Sequence, residues 1–261
     1  MLTKGSESFA LKVQCPDKQE LHIFMEISAL VKHSQLLNNF ISLNDYGLID
    51  IDEFNRLIPD NLTTNEDYNY MMSKYRDSKC DSSSTRVILS FIIMELIDGP
   101  ILSYLNYGID EYLLFEIVFG ITALLSYNII PGDLGPENIG IKFTRESICY
   151  IFDDCCLTIP GGRNMIKFID YAAYRDENVN IYKLKASDVN QYYDISNFSR
   201  YLDPNSKAAQ FLEYYMSHLD QPIISVLTQL AKSVLKCGSC NDCIKAFSEK
   251  ANQKPDKTLY F

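Results

Sequence analysis

The chain has no basic surplus: 24 lysines and arginines stand against 34 aspartates and glutamates, a formal charge of -10 at pH 7. An extended nucleic-acid footprint needs a basic face, so nucleic acid is not an expected partner. The start, MLTKGSESFALKV, has neither an uninterrupted apolar run nor a small-residue cleavage site, and does not read as a signal peptide. A clean membrane span is missing too. The nearest approach is residues 112–130 (YLLFEIVFGITALLSYNII), but Glu116 and Gly120 interrupt the run and no basic cluster flanks it. A helix buried on most sides is expected there, and no span. Without a secretory context, the eight cysteines are expected to be thiols in a reducing compartment. The triplet Cys237-x-x-Cys240-x-x-Cys243 has a bite that suits zinc, yet no fourth ligand accompanies it, the nearest histidine being His218. Packing on a last helix is the preferred reading of these three.

What is present is ordinary globular material, 47% hydrophobic and 22% charged over 261 residues, enough for one large domain or two small lobes. Residues 8–14 (SFALKVQ) read as a strand, and residues 19–32 as a helix with Leu21, Phe24, Ile27, Leu30 and Val31 on its apolar face. Residues 40–50 look like strand-turn-strand. Residues 53–84 turn polar and lose any apolar period, which marks a surface insertion, part helix and part loop. Residues 85–96 (TRVILSFIIMEL) form a buried strand that ends at the turn signal Asp98-Gly99-Pro100. Helices are expected over 100–107 and 111–127. Short strands follow at 138–143, 147–152 and 165–169, with a turn at 160–162, and the chain reads as helical from Tyr192 onward. Strands first, a connector, then helices suggest two lobes joined near residues 96–99.

Three short patterns carry chemistry. Asp133-Leu134-Gly135-Pro136-Glu137-Asn138 follows the apolar helix and precedes a strand. An aspartate and an asparagine five positions apart on a loop can orient a hydroxyl nucleophile and ligate magnesium, the two needs of phosphoryl transfer. Phe168-Ile169-Asp170-Tyr171-Ala172 ends an apolar strand in an aspartate suited to a phosphate-bridging metal. Ala10-Leu11-Lys12-Val13 puts a lysine on a strand, and Glu26 lies in the helix that follows. Each pattern alone has a plain structural reading: a turn, a capped strand, a solvated edge lysine.

In order along the chain, these motifs resemble the protein-kinase superfamily, covering roughly residues 5–200. The first is similar to the catalytic loop H-R-D-x-x-x-x-N, with Pro131 and Gly132 in place of His and Arg. The second is similar to D-F-G, and the third to the V-A-I-K strand with its helix-C glutamate. The closest likeness is to the short, divergent serine/threonine kinase-like proteins of large DNA viruses, which share the I-D-Y form and a long excursion before it. The resemblance implies an α+β, two-lobed kinase-like fold: a small N-terminal sheet lobe with one helix over residues 1–97, and a mainly helical lobe over 98–261. It implies ATP and Mg2+ as cofactors, Asp133 as catalytic base, Asn138 and Asp170 as metal ligands, and Lys12 with Glu26 aligning the phosphates. Gly5 would be the remnant of a glycine loop. Met94 would be the gatekeeper beside Glu95, and Ile97 the backbone contact to adenine. Residues 193–198, with Asp194, resemble the entry of helix F. The substrate implied is a protein serine or threonine, and the place the cytoplasm, or a host cytoplasm or virion if the chain is viral. No full G-x-G-x-x-G precedes Lys12 and no A-P-E follows Asp170. A pseudokinase scaffold and a small-molecule phosphotransferase of related fold therefore stay open as alternatives.

Overall fold

The structure, a computed structural model, describes residues 2–4, 7–34, 39–58, 64–78, 86–130, 132, 134–152, 155–170, 174–189, 192–235, 238–239 and 257–260. It mixes small, mostly antiparallel sheets with several helices. By its internal contacts the chain forms two compact units, one of Met1–Met25 with Ser42–Leu96, the other of Glu26–Ile41 with Ile97–Phe261.

In the first unit β1 (Leu2–Lys4), β2 (Glu7–Gln14), β4 (Ile88–Glu95) and β3 (Leu43–Asp50) form an antiparallel sheet in that spatial order. The anticipated strand-turn-strand over 40–50 is one strand. Its turn signal Asn44-Asp45 becomes a register irregularity between Leu43 and Asp45, an extra residue absorbed as a bulge. Asp50 caps helix α2 (Ile51–Leu57) by accepting from the backbone N–H of Asp52 at 2.9 Å. Helix α3 (Glu66–Ser78) follows. These two helices are the described part of the polar stretch, and they are more than surface cover. Ile51 and Phe54 of α2 and Met72 of α3 bury against Leu89, with Leu11 and Val13 of β2 packed alongside. The polar composition hid this because the side chains that reach the core are few and spaced along otherwise polar helices.

Helix α1 (Lys18–Ser34) forms where the apolar period places it, with Ile23, Phe24 and Ile27 buried.

The second unit is built around helix α4 (Glu111–Ser126), whose N-cap Asp110 accepts from the N–H groups of Tyr112 at 3.1 Å and Leu113 at 2.9 Å. Residues 113–125 are buried without a break, Glu116 and Gly120 among them. Among the described residues no helix is long and apolar enough to cross a membrane. Three strands form a small sheet in the order β10 (Arg163–Phe168), β7 (Ile139–Thr144), β5 (Gly99–Pro100), and β6 (Ile129–Ile130) pairs with β11 (Tyr174–Arg175). A further sheet runs β12 (Gly238–Ser239), β9 (Cys155–Ile159), β8 (Ile148–Phe152), β13 (Lys257–Tyr260), the last pair parallel. Helices α5 (Tyr192–Asn197), α6 (Lys207–Ser217) and α7 (Ile223–Ser233) complete the unit.

Two expectations fail here. The chain is not helical from Tyr192 to its end, because β12 and β13 return as strands. Nor are the described cysteines all thiols: Cys15, Cys155 and Cys156 are disulfide-bonded, which belongs to conditions where thiols are not held reduced. Cys155 and Cys156 are neighbours on β9, so their side chains leave opposite faces of the strand and do not bond to each other. Cys149 is a buried thiol, its Sγ 3.3 Å from that of Cys156. The predicted packing of Cys237, Cys240 and Cys243 lies outside the described residues.

Candidate functional site

The short 3-10 turn Pro136–Asn138 delivers the chain into β7, with proline at its first position, where a missing N–H leaves no orphan donor. The N–H of Asn138 closes the turn on the carbonyl of Gly135 at 2.9 Å. From Ile139 onward β7 pairs antiparallel with β10, Ile139 opposite Phe168. One step beyond that pair, the N–H of Ile169 donates to the carbonyl of Asn138 at 3.0 Å. The ladder thus sets Asn138 beside the residue that immediately precedes Asp170. The residues between Thr144 and Arg163, including β8 and β9, are looped out without disturbing this pairing. Asp170 is half-buried.

The third strand brings a further candidate to this sheet. The N–H of Asp98 donates to the carbonyl of Ile141 at 2.8 Å, and the Asp98 carboxylate accepts from the N–H of Phe143 at 2.6 Å. This lays the segment of Ile97 along β7. A side chain on Gly140 would meet Ile97 Cδ1 at 2.6 Å and Ile169 Cγ2 at 3.1 Å, so glycine is what lets the two isoleucines close over the strand. Ile97, Asn138 and Asp170 are thereby gathered by one three-stranded sheet in one unit. At Gly135 the space a side chain would take is filled by the Glu137 carboxylate, 2.5 Å from where a Cβ would stand.

Lys12, Met94 and Glu95 belong to the first unit. Lys12 sits mid-strand in β2 opposite Ile92, and alternation puts it on the face away from Leu11 and Val13, which pack on the α2–α3 cluster. Met94 is buried on the central strand with Ala10 as its partner, and the Glu95 N–H donates to the Ser42 carbonyl at 3.1 Å. Glu26 of α1 carries an ion pair that no sequence pattern foretells. Arg175 of β11 donates to Glu26 Oε2 from Nη2 at 2.7 Å and from Nε at 3.2 Å. Asp133 and Gly5 lie outside the described residues, as do Tyr171 and Ala172. Asp194 lies on α5, as the helix-entry reading asks of its backbone.

No family model and no curated protein matches the chain. Among solved structures, a crystal structure of a kinase domain matches at 15% sequence identity and a TM-score of 0.38, over 75% of this chain and 55% of that one. The chain thus spans about half the length of that kinase domain. A score this low establishes no shared fold, and the chemistry has to be read from the site itself.

Strand β10 is held on its other edge by buried polar groups that the motif reading passed over. Asn39 lends its carbonyl to the N–H of Phe168 at 2.7 Å, and its Nδ2 donates to the carbonyl of Ile166 at 3.4 Å. The N–H of Ile166 is taken by Glu116 Oε2 at 2.8 Å. The other oxygen of Glu116 lies 2.7 Å from the hydroxyl of Tyr150, which also lies 3.2 Å from Asn39 Oδ1. Glu116, Asn39 and Tyr150 are all fully buried. Burial pushes the Glu116 carboxyl up to about 7, against the lowering effect of its two hydrogen bonds and of the Arg163 charge. One cue to Glu116 was legible: a lone carboxylate in an otherwise apolar helix. Its partners, 34 and 50 residues away, were not.

Among the described residues no three His, Cys, Asp or Glu side chains converge as a metal cage. The residues that could hold a metal at this end of the sheet are Asn138, with an amide oxygen, and Asp170, with a carboxylate. That suits magnesium, which takes one or two protein oxygens and completes its shell with water and substrate phosphates. A cleft of about 500 Å³ in the second unit, lined by Leu125, Tyr127, Ile181 and Tyr182, includes none of the candidate residues.

Proposed function

We propose that this chain is a protein-kinase-like phosphotransferase that uses ATP and Mg2+ and transfers phosphate to a serine or threonine of a protein. The observation that carries the reading is the β7–β10 register, which sets Asn138 next to the residue before Asp170 across a long excursion. An asparagine and an aspartate held in this way have the donor chemistry of a magnesium site, and a plain turn has no need of the pairing. In this reading residues 1–97 serve as the small lobe and 98–261 as the helical one. Bound magnesium would neutralise charge on the phosphates, with Asn138 and Asp170 as its protein ligands. Asp133 orients the attacking hydroxyl and takes its proton, Lys12 and Glu26 align the phosphates, and the backbone near Ile97 meets adenine.

The test separates chemistry from binding. With radiolabelled ATP and a generic protein substrate, the wild type is expected to transfer label. Replacing Asp133 with Asn should leave nucleotide affinity nearly unchanged and lower turnover by at least about a hundredfold, because that carboxylate acts fully only in the transition state. A wild type that binds ATP and transfers nothing to protein or small acceptor would replace this reading with the scaffold one, and label transfer that survives Asp133→Asn would take Asp133 out of the catalytic role.

A further inference from the structure

The buried cluster around Glu116 has more hydrogen-bond acceptors than donors, and the mismatch is informative. The Tyr150 hydroxyl has one proton, yet it lies within reach of two acceptors, Glu116 Oε1 at 2.7 Å and Asn39 Oδ1 at 3.2 Å. With Glu116 ionised, Tyr150 gives its proton to the carboxylate, and Asn39 Oδ1 loses its donor. With Glu116 protonated, the carboxyl donates to Tyr150, Tyr150 donates to Asn39, and every acceptor in the chain of three is served. Only the protonated arrangement satisfies both contacts.

Asn39 is no bystander. Its backbone and side chain bond to Phe168 and Ile166, and the neighbouring N–H of Ile41 donates to the Phe168 carbonyl at 3.1 Å. Phe40 lies bridged to Phe168 with the two rings stacked at 4.8 Å. Lys167 reaches back to the Phe40 carbonyl at 3.4 Å. Glu116 itself holds the N–H of Ile166. Both grips act on β10, the strand whose end presents Asp170.

We propose that Glu116 is a positioning residue for Asp170, fixing β10 against the Asn39 segment most firmly when it carries a proton. This rests on the reading of Asp170 as a magnesium ligand. The raised pKa of Glu116 puts the change of hydrogen-bond pattern near neutral pH. The charged and titratable groups around it are Tyr150 on β8, Arg163 on β10, Asp110 at the cap of α4 and Lys167 farther along β10. Tyr150 is pushed well above its ordinary value by burial, and the raised value of Glu116 is the one that falls in this range. Asp110 accepts from Arg163, and its negative charge also raises the Glu116 carboxyl directly.

The experiment measures the affinity of a non-hydrolysable ATP analogue, with and without Mg2+, from pH 5.5 to 8.5. It uses the full chain as wild type, Glu116→Gln and Tyr150→Phe, with amide hydrogen exchange of Ile166, Phe168 and Ile169 followed in parallel. Glutamine keeps the acceptor for the Ile166 N–H and cannot ionise, so the variant is expected to fold. In the wild type the Mg2+-dependent affinity should weaken several-fold as pH rises through about 7, with loss of exchange protection on β10. In Glu116→Gln both should become flat with pH. Tyr150→Phe breaks the relay to Asn39 and should show weaker Mg2+-dependent binding at low pH, with Mg2+-free binding unchanged. A wild type that binds Mg2+-nucleotide with a profile identical to Glu116→Gln overturns the proposal alone. A wild type with no Mg2+-dependent binding overturns the magnesium reading, and this proposal with it.

Discussion

Glu116 sets the chemistry of the second unit's interior at the scale of one side chain. A carboxyl whose pKa rises from 4.5 in the open chain to about 7 in the fold binds its proton more tightly when folded. Its contribution to stability is therefore full below about pH 4.5 and is lost as pH rises through about 7, when the fold must hold a buried charge. The interval between those values corresponds to about 3 kcal/mol, the order of the stability the wild type should lose between pH 4.5 and 8 on account of this group. Chemical denaturation of wild type and Glu116→Gln across that range checks it: the gap between the two curves should close or reverse at high pH. Curves that stay parallel would mean that the carboxyl titrates normally. The sequence marked Glu116 as an anomaly in an apolar helix. It could not supply the partner set, because Tyr150 and Ile166 approach only after three elements have packed.

Between elements, one contact explains a glycine that the sequence shows only as an interruption. A Cβ on Gly120 of α4 would run into the ring of Phe168, the last residue of β10. In an exposed helix Gly→Ala gains up to about 1 kcal/mol. Here the ring would have to move away from its stack on Phe40, and Gly120→Ala should cost about 1–3 kcal/mol, as overpacked cores do. Thermal unfolding reads the sign directly, and a raised midpoint would show that the ring relocates freely. Legibility at this scale followed periodicity. Helices α1 and α4 and strands β2, β4, β7 and β8 lie where the sequence puts them, give or take end residues. The failures share a cause. Strand β9 (CCLTI) is five residues with no alternation to mark it, and β12 and β13 are held by partners distant in sequence. The bulge in β3 uses the same Asn-Asp letters as a turn.

For the whole molecule, the order of motifs was legible and their mutual geometry only in part. The sequence offered Asn138 and Asp170 as a pair by order alone, and the β7–β10 ladder is what sets Asn138 beside Ile169, the residue before Asp170. It offered Glu26 a lysine partner and gave no sign of Arg175, which lies 149 residues away in a segment without a motif. The polar stretch at 53–84 read as a surface insertion, yet Phe54 and Met72 are buried against the first sheet, with Tyr68 and Tyr75 packed beside them. Truncating Phe54 to Ala should therefore destabilise the first unit by about 3 kcal/mol or more, as losses of buried aromatic rings do. Protease protection of that unit would report it, and an unchanged digestion pattern would return α2 to the status of decoration.

The central claim is that one end of the β7–β10 ladder is a magnesium-nucleotide site, and calorimetry of ATP binding with and without Mg2+ addresses it most directly. In the wild type Mg2+ should tighten ATP binding by about tenfold or more. Asp170→Ala and Asn138→Ala should each remove most of that gain, while binding without Mg2+ stays as it was. A wild type that binds no nucleotide, or a Mg2+ dependence that persists undiminished in both variants, would contradict the account.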